Sequence, residues 1–190
     1  MALNLPVRAD AQANRVRLIE AARAVFAERG LNAEMKEIAD RAGVGMGTIY
    51  RNFSNKEELI QAIIGQRIGH ALGLIRATRA MAEPIERLRA ILTIAYECAE
   101  EDGSLIVALG GQAAQEPPQA ILAEIRGALE AGQAAGVFRA AIDPVAFGLF
   151  MASQLEAYLG LRRVFSPVEA ARHLSDLVVH AVVQRSDRAT

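Results

Sequence analysis

The sequence predicts an all-α fold, and three observations carry that expectation. Of the 190 residues 52% are apolar, Trp is absent, and Ala and Leu outnumber Val, Ile and Thr, a balance that favours helix over strand. Apolar residues recur at three- and four-residue intervals rather than in alternation, as one face of a helix requires. Capping residues, prolines and glycines divide the chain into about nine helices.

The first helix reads from about Asn14 to Arg29, with Val16, Leu18, Ile19, Ala22, Val25 and Phe26 on one face and Gly30 as its left-handed stop. The tails 1–12 and 186–190 read as loose. Met35 to Ala42 and about Gly45 to Asn52 form two short helices around Gly43, neither stable alone, so both must pack on the first. Ser54-Asn55-Lys56-Glu57 reads as a capping box between Ser54 and Glu57, opening a long helix through Leu59, Ile60, Ile63, Ile64, Ile68, Leu72 and Ile75. Pro84 opens the next, with Ile85, Leu88, Ile91, Leu92, Ala95 and Ala99 inward and Gly103 as its stop. Ser104 then caps a shorter helix to about Gln115. Pro117 and Pro118 start a helix bearing Ile121, Leu122, Ile125 and Leu129 that gives out near Gly136. Asp143-Pro144 and Ser166-Pro167-Val168-Glu169 open the last two helices.

The single cysteine, Cys98, excludes an internal disulfide and suits a reducing compartment, so a cytoplasmic location is expected. The opening MALNLPVRAD lacks a signal-peptide core, and no apolar run reaches the ~20 residues of a membrane span, so no membrane partner is expected. The net charge of −1 hides an asymmetry: residues 1–56 carry nine Lys or Arg against six Asp or Glu, while residues 57–190 carry twelve against sixteen. A basic head on an acidic body is what a chain shows when only its head meets phosphate.

The head also carries the parts of a helix-turn-helix. Two helices crossing steeply need a small residue at the crossing, a residue tolerant of positive φ in the turn, and apolar plugs beneath. Ala39, Gly43, and Val44 with Ile49 supply these, Ile38 and Ala42 facing inward beside them. Met46, Thr48, Tyr50, Arg51 and Asn52 then lie away from the plug on a helix of major-groove width. Lys56 sits at the start of the next helix, where free backbone N–H groups favour a phosphate.

The stretch Val44-Gly45-Met46-Gly47-Thr48-Ile49-Tyr50-Arg51-Asn52-Phe53, followed by Asn55-Lys56-Glu57-Glu58-Leu59, resembles the DNA-binding signature of the tetracycline-repressor (TetR) family over roughly residues 13–60. The resemblance implies DNA contacts from Thr48, Tyr50, Asn52 and Lys56, with Tyr50 and Lys56 mainly on the backbone, and Ile49 and Phe53 in the core. Ala33 stands where the family usually has a capping Thr, Glu34 follows it, and Gly45-Met46 replaces a common Ser-Lys pair. These departures imply weaker phosphate anchoring.

The expected organisation is a DNA-binding domain over 1–54 and an effector-binding and dimerisation domain over 55–190. From Val145 to Leu161 apolar residues run almost all the way round, so that helix is expected to be buried on both sides. The resemblance implies that the last two helices pair with their twofold mates, giving Phe150, Leu155, Tyr158, Leu174, Leu177, Val178 and Ala181 as interface candidates. It also implies an effector pocket among the middle helices, where Tyr96, Cys98, Gln112, Phe147, Met151 and Gln154 place a few polar atoms among apolar ones. Few charges fall on those faces, so the expected effector is mostly apolar.

His70, His173, His180 and Cys98 share no metal-ligand spacing, and there is no phosphate-cradling glycine loop or nucleophile elbow. Neither a metal, a cofactor nor catalysis is expected. The resulting expectation is a dimeric repressor released from a palindromic duplex operator by a small molecule. The alternative is a helical, dimeric interaction or small-molecule-binding protein whose DNA reading has decayed, suggested by Ala33, Gly45 and Met46.

Overall fold

The computed structural model describes residues 5–108 and 119–184. Eight α-helices are present among them: α1 (Leu5–Arg29), α2 (Met35–Ala42), α3 (Met46–Asn52), α4 (Lys56–Ala77), α5 (Pro84–Ala108), α6 (Gln119–Ala134), α7 (Pro144–Leu161) and α8 (Pro167–Val182). Short 3₁₀ turns at Gly30–Asn32 and Thr78–Ala80 follow α1 and α4. The described residues contain no β-strand, and a lone antiparallel bridge pairs Phe138 with Val183.

The helix ends follow the local chemistry, with three departures from expectation. Asp143 Oδ1 accepts from the Val145 and Ala146 amides at 3.0 and 2.8 Å, with Pro144 at the first position of α7. Ser166 and Glu169 form the reciprocal box that opens α8. Gly43 ends α2 in the left-handed conformation, φ +66°. The box opening α4, however, lies one residue on: Glu58 N donates to Asn55 Oδ1 at 2.8 Å while Ser54 N donates to Glu58 Oε2 at 2.7 Å. These bonds from Ser54 hold the Glu58 carboxyl below its ordinary range. The second departure is in α5, which continues through Gly103 and Ser104 to Ala108, because one interior glycine costs only ~0.5–1 kcal/mol. The expected helix from Ser104 therefore has no separate start, and its end near Gln115 lies outside the described residues. Third, α1 begins at Leu5 rather than Asn14, so residues 5–12 are helical and not loose.

The described residues form two compact units, 5–67 with 104–108 and 68–103 with 119–184, so that breaks fall inside α4 and inside α5. In the first, Leu18, Ala22, Val25 and Phe26 of α1 meet Ile38 and Ala39 of α2, Ile49 of α3, Phe53, and Leu59, Ile60 and Ile63 of α4. The core of the head thus takes in the first two turns of α4, beyond the expected boundary at residue 54.

The second unit is centred on Leu88, Ile91, Leu92 and Tyr96 of α5, Ile125 and Leu129 of α6, Phe147, Met151 and Tyr158 of α7, and Leu174, Val178 and Val182 of α8. Polar ties join α5 to the last two helices. Arg162 donates to both oxygens of Glu100 at 2.8 and 2.9 Å, holding the C-terminal end of α7 on α5. Arg89 pairs with Asp176 at 2.8 Å and joins α5 to α8. No described helix is long and apolar enough to cross a membrane.

Candidate nucleic-acid interface

α3 is seven residues long, about 10 Å at helical rise, and gains its stability from the plug beneath it. Ile49 and Phe53 are fully buried in the head. Gly45 precedes the helix in extended conformation, and its carbonyl accepts from Thr48 N at 2.8 Å. At the other end Arg15 Nη1 donates to the Asn52 carbonyl at 3.0 Å, with its guanidinium 4.3 Å above the Phe53 ring centroid. A cation at a helix C-terminus neutralises the exposed carbonyl dipole, so Arg15 of α1 fixes the far end of α3. The sequence reading missed Arg15, because nothing in the spacing connects residue 15 with residue 52.

The outward face of α3 presents Met46, Tyr50 and Arg51, all exposed, with Tyr50 at 50%. Gly47 lies beside them with open space around it. The other expected readers are more restrained. Thr48 and Asn52 are half-buried: Thr48 Oγ1 accepts from Arg51 Nη2 at 3.0 Å, and Asn52 Nδ2 donates back to the Thr48 carbonyl at 2.9 Å. Lys56 Nζ donates to the Leu31 carbonyl at 2.7 Å and the Ala33 carbonyl at 3.3 Å. It therefore buttresses the 3₁₀ turn between α1 and α2, and its ammonium retains donor capacity for a phosphate.

Ala33 has its own explanation. Its methyl is buried in the head core, and the start of α2 is served instead by Glu37, whose carboxylate accepts from the Glu34 amide at 2.9 Å. Losing a capping hydroxyl at residue 33 thus leaves α2 capped.

The family described as "Bacterial regulatory proteins, tetR family" matches residues 18–63. The TetR transcriptional regulator SCO0520 from Streptomyces coelicolor is 30% identical with a TM-score of 0.64, the match covering 90% of this chain and 99% of that one. The chain belongs to the TetR family of bacterial regulatory proteins. Among curated TetR relatives, the transcriptional repressor KstR2 of Mycobacterium tuberculosis is 32% identical over 103 residues, 53% of this chain and 52% of KstR2. The transcriptional activator FasR of Mycolicibacterium smegmatis is 38% identical over 90 residues, 46% of this chain and 41% of FasR. The match thus spans about half the length of such curated relatives.

In the body of this TetR-family chain, three of the expected pocket residues, Tyr96, Phe147 and Met151, are buried in one core. Tyr96 is buried and lines a cleft between α5, α7 and α8. Phe147 and Met151 are buried in the core and do not line that cleft, and Cys98 is half-buried on α5. Gln154 is buried and bonds the Phe150 carbonyl four residues earlier on its own helix. Gln112 lies outside the described residues.

The interface candidates also divide. Phe150, Leu177 and Ala181 are exposed, joined by Val145 and Leu149. Tyr158, Leu174 and Val178 are buried in the protomer's own core. The Leu155 side chain lies outside the described residues. Nor is α7 enclosed on every side within one chain, since Leu149 is 54% exposed.

Proposed function

We propose that this protein is a sequence-specific, ligand-responsive transcription regulator. As a dimer it would bind a palindromic duplex operator and repress until a small, mostly apolar molecule releases it. The observation that carries the reading is the α3 face: Met46, Tyr50 and Arg51 stand exposed on a helix held rigid by Ile49 and Phe53 below and Arg15 at its end. Exposed polar and aromatic groups on a fixed helix of groove width are what base and phosphate contact requires.

Residues 1–54 would read DNA and residues 55–190 would bind effector and dimerise, with α4 shared between the two roles. A ligand that prefers one body conformation would change operator affinity by its differential affinity for the two states. KstR2's name as a repressor supports the direction of regulation; FasR's as an activator makes that direction something a reporter assay must measure.

The test is selection of bound duplexes from a random library, followed by affinity against salt for wild type and Tyr50→Ala. An enriched palindrome whose binding weakens at least tenfold in the variant supports the reading. A folded dimer that enriches nothing favours a protein whose DNA reading has decayed.

A further inference from the structure

The seven residues of α3 carry one formal charge, on Arg51. Successive residues of a helix turn by about 100°, and Ile49 is the one fully buried in the head. Gly47 and Arg51, two residues to either side of Ile49, therefore lie close to the line directly opposite the core, and both are exposed. Thr48 and Tyr50 fall on the flanks. A helix seated in the major groove brings its outermost line nearest the base edges.

The Arg51 side chain has a direction fixed by its own bond. Its Nη2 donates to Thr48 Oγ1 at 3.0 Å, three residues earlier, so the guanidinium is turned back toward the N-terminal half of α3. Long helical side chains lean that way, and it is the half from which recognition helices contact bases. Gly47 has no side chain there, and a Cβ built on it would meet nothing within 4 Å.

The other polar groups of α3 are worse placed for base edges. Asn52 is half-buried and donates from Nδ2 to the Thr48 carbonyl at 2.9 Å, which turns its amide onto the helix and away from the paired contact by which asparagine reads adenine. Thr48 and Tyr50 each offer a single hydroxyl, and that of Thr48 already accepts from Arg51. No carboxylate is present on α3 to accept from cytosine. Arg51 uses one N–H on Thr48, and a guanidinium has five, so it can still donate twice to a neighbouring pair of acceptors. Guanine alone presents such a pair in the major groove, N7 and O6.

We propose that Arg51 is a specificity-determining residue, donating two hydrogen bonds to N7 and O6 of one guanine in each half-site of the operator. The inference rests on the reading of the chain as a sequence-specific DNA-binding regulator and names the base that α3 selects.

Duplex selection with the full chain, wild type against Arg51→Ala, tests it. The exposed side chain lies outside the head core, so the variant should fold, as circular dichroism checks. Wild type should enrich a palindrome with a fixed G·C pair in each half-site, and Arg51→Ala should enrich the same palindrome with that pair degenerate. Replacing the pair by A·T in one half-site should weaken wild type about five- to a hundredfold and the variant by no more than about twofold. A second measurement needs no variant: 7-deazaguanine at that position, which lacks N7 and keeps its base pairing, should weaken wild type about tenfold. A guanine preference that survives Arg51→Ala, or a wild type indifferent to the loss of N7, overturns the assignment alone. So does a variant that weakens on every duplex alike with a shallower salt dependence, the mark of a phosphate contact. A wild type that enriches no palindrome overturns both the assignment and the reading beneath it.

Discussion

Glu124 of α6 is almost fully buried, at 4% exposure, and receives Arg79 Nε and Nη2 at 2.8 and 2.7 Å and Arg76 Nε at 3.2 Å. Burial alone would raise its carboxyl, but the hydrogen bonds and charges of Arg79 and Arg76 outweigh it and hold the group below its ordinary 4.5. A carboxyl depressed in the folded state adds stability that is present above its unfolded value and lost as pH falls through its folded value. Wild type should therefore lose stability below about pH 4.5, and Glu124→Gln should lose less over the same window. At neutral pH the variant should be less stable by ~1–3 kcal/mol, the cost of weakened buried hydrogen bonds. Urea midpoints from pH 7 to pH 3 decide it: a constant gap between the two proteins would rule out this ionic role. Gly132 makes a steric counterpart, because a Cβ there would fall inside the Phe138 ring. Gly132→Ala should push that ring out of the core, loosen the pairing of Phe138 with Val183, and cost ~1–3 kcal/mol, read as a lowered Tm.

At the scale of whole elements, the sequence was most legible where one residue type has one mechanical use. Asp143-Pro144 and Ser166-Pro167 mark starts that no neighbouring residue could claim, and Gly43 marks the one turn where positive φ is needed between α2 and α3. Legibility failed where two adjacent residues could do the same job. Ser54 and Asn55 are both good caps and Glu57 and Glu58 both good partners, so only the packed geometry selects Asn55 with Glu58. It failed again at Gly103, since glycine stops a helix only if the next turn offers something better than continuing. Glycine within a helix and glycine at a positive-φ stop consequently predict opposite outcomes. Gly65→Ala should stabilise by ~0.5–1 kcal/mol, because residue 65 is mid-helix in α4 and no atom lies within 4 Å of the added Cβ. Gly43→Ala should destabilise by ~1–2 kcal/mol through its φ of +66° alone, since no atom lies within 4 Å of the added Cβ. Thermal denaturation of the pair checks both signs, and equal shifts in the two variants would mean that backbone conformation does not separate the two glycines.

For the molecule as a whole, the apolar residues of α7 and α8 have two destinations that periodicity could not separate. A helix that is apolar almost all round can bury one face in its own core and offer another to a second copy, and the sequence carries no mark saying which residue goes where. The structure makes the division: Tyr158, Leu174 and Val178 pack inward, while Val145, Leu149, Phe150 and Leu177 remain outside, Leu177 at 67% exposure. Large apolar side chains grouped on two neighbouring helices cost solubility unless something covers them. A regulator that reads both halves of a palindrome needs a partner copy. Phe150→Glu with Leu177→Glu should therefore leave the 20.4 kDa chain folded, because neither side chain belongs to the protomer's core, and convert a dimer to a monomer in sedimentation. The monomer should keep a single half-site and lose most of its affinity for the palindrome, since one short recognition helix must then carry all of the binding. A double variant that remains dimeric and binds the palindrome as wild type does would place the contact between copies on another face, and would leave the exposed row on α7 and α8 to be covered by something else.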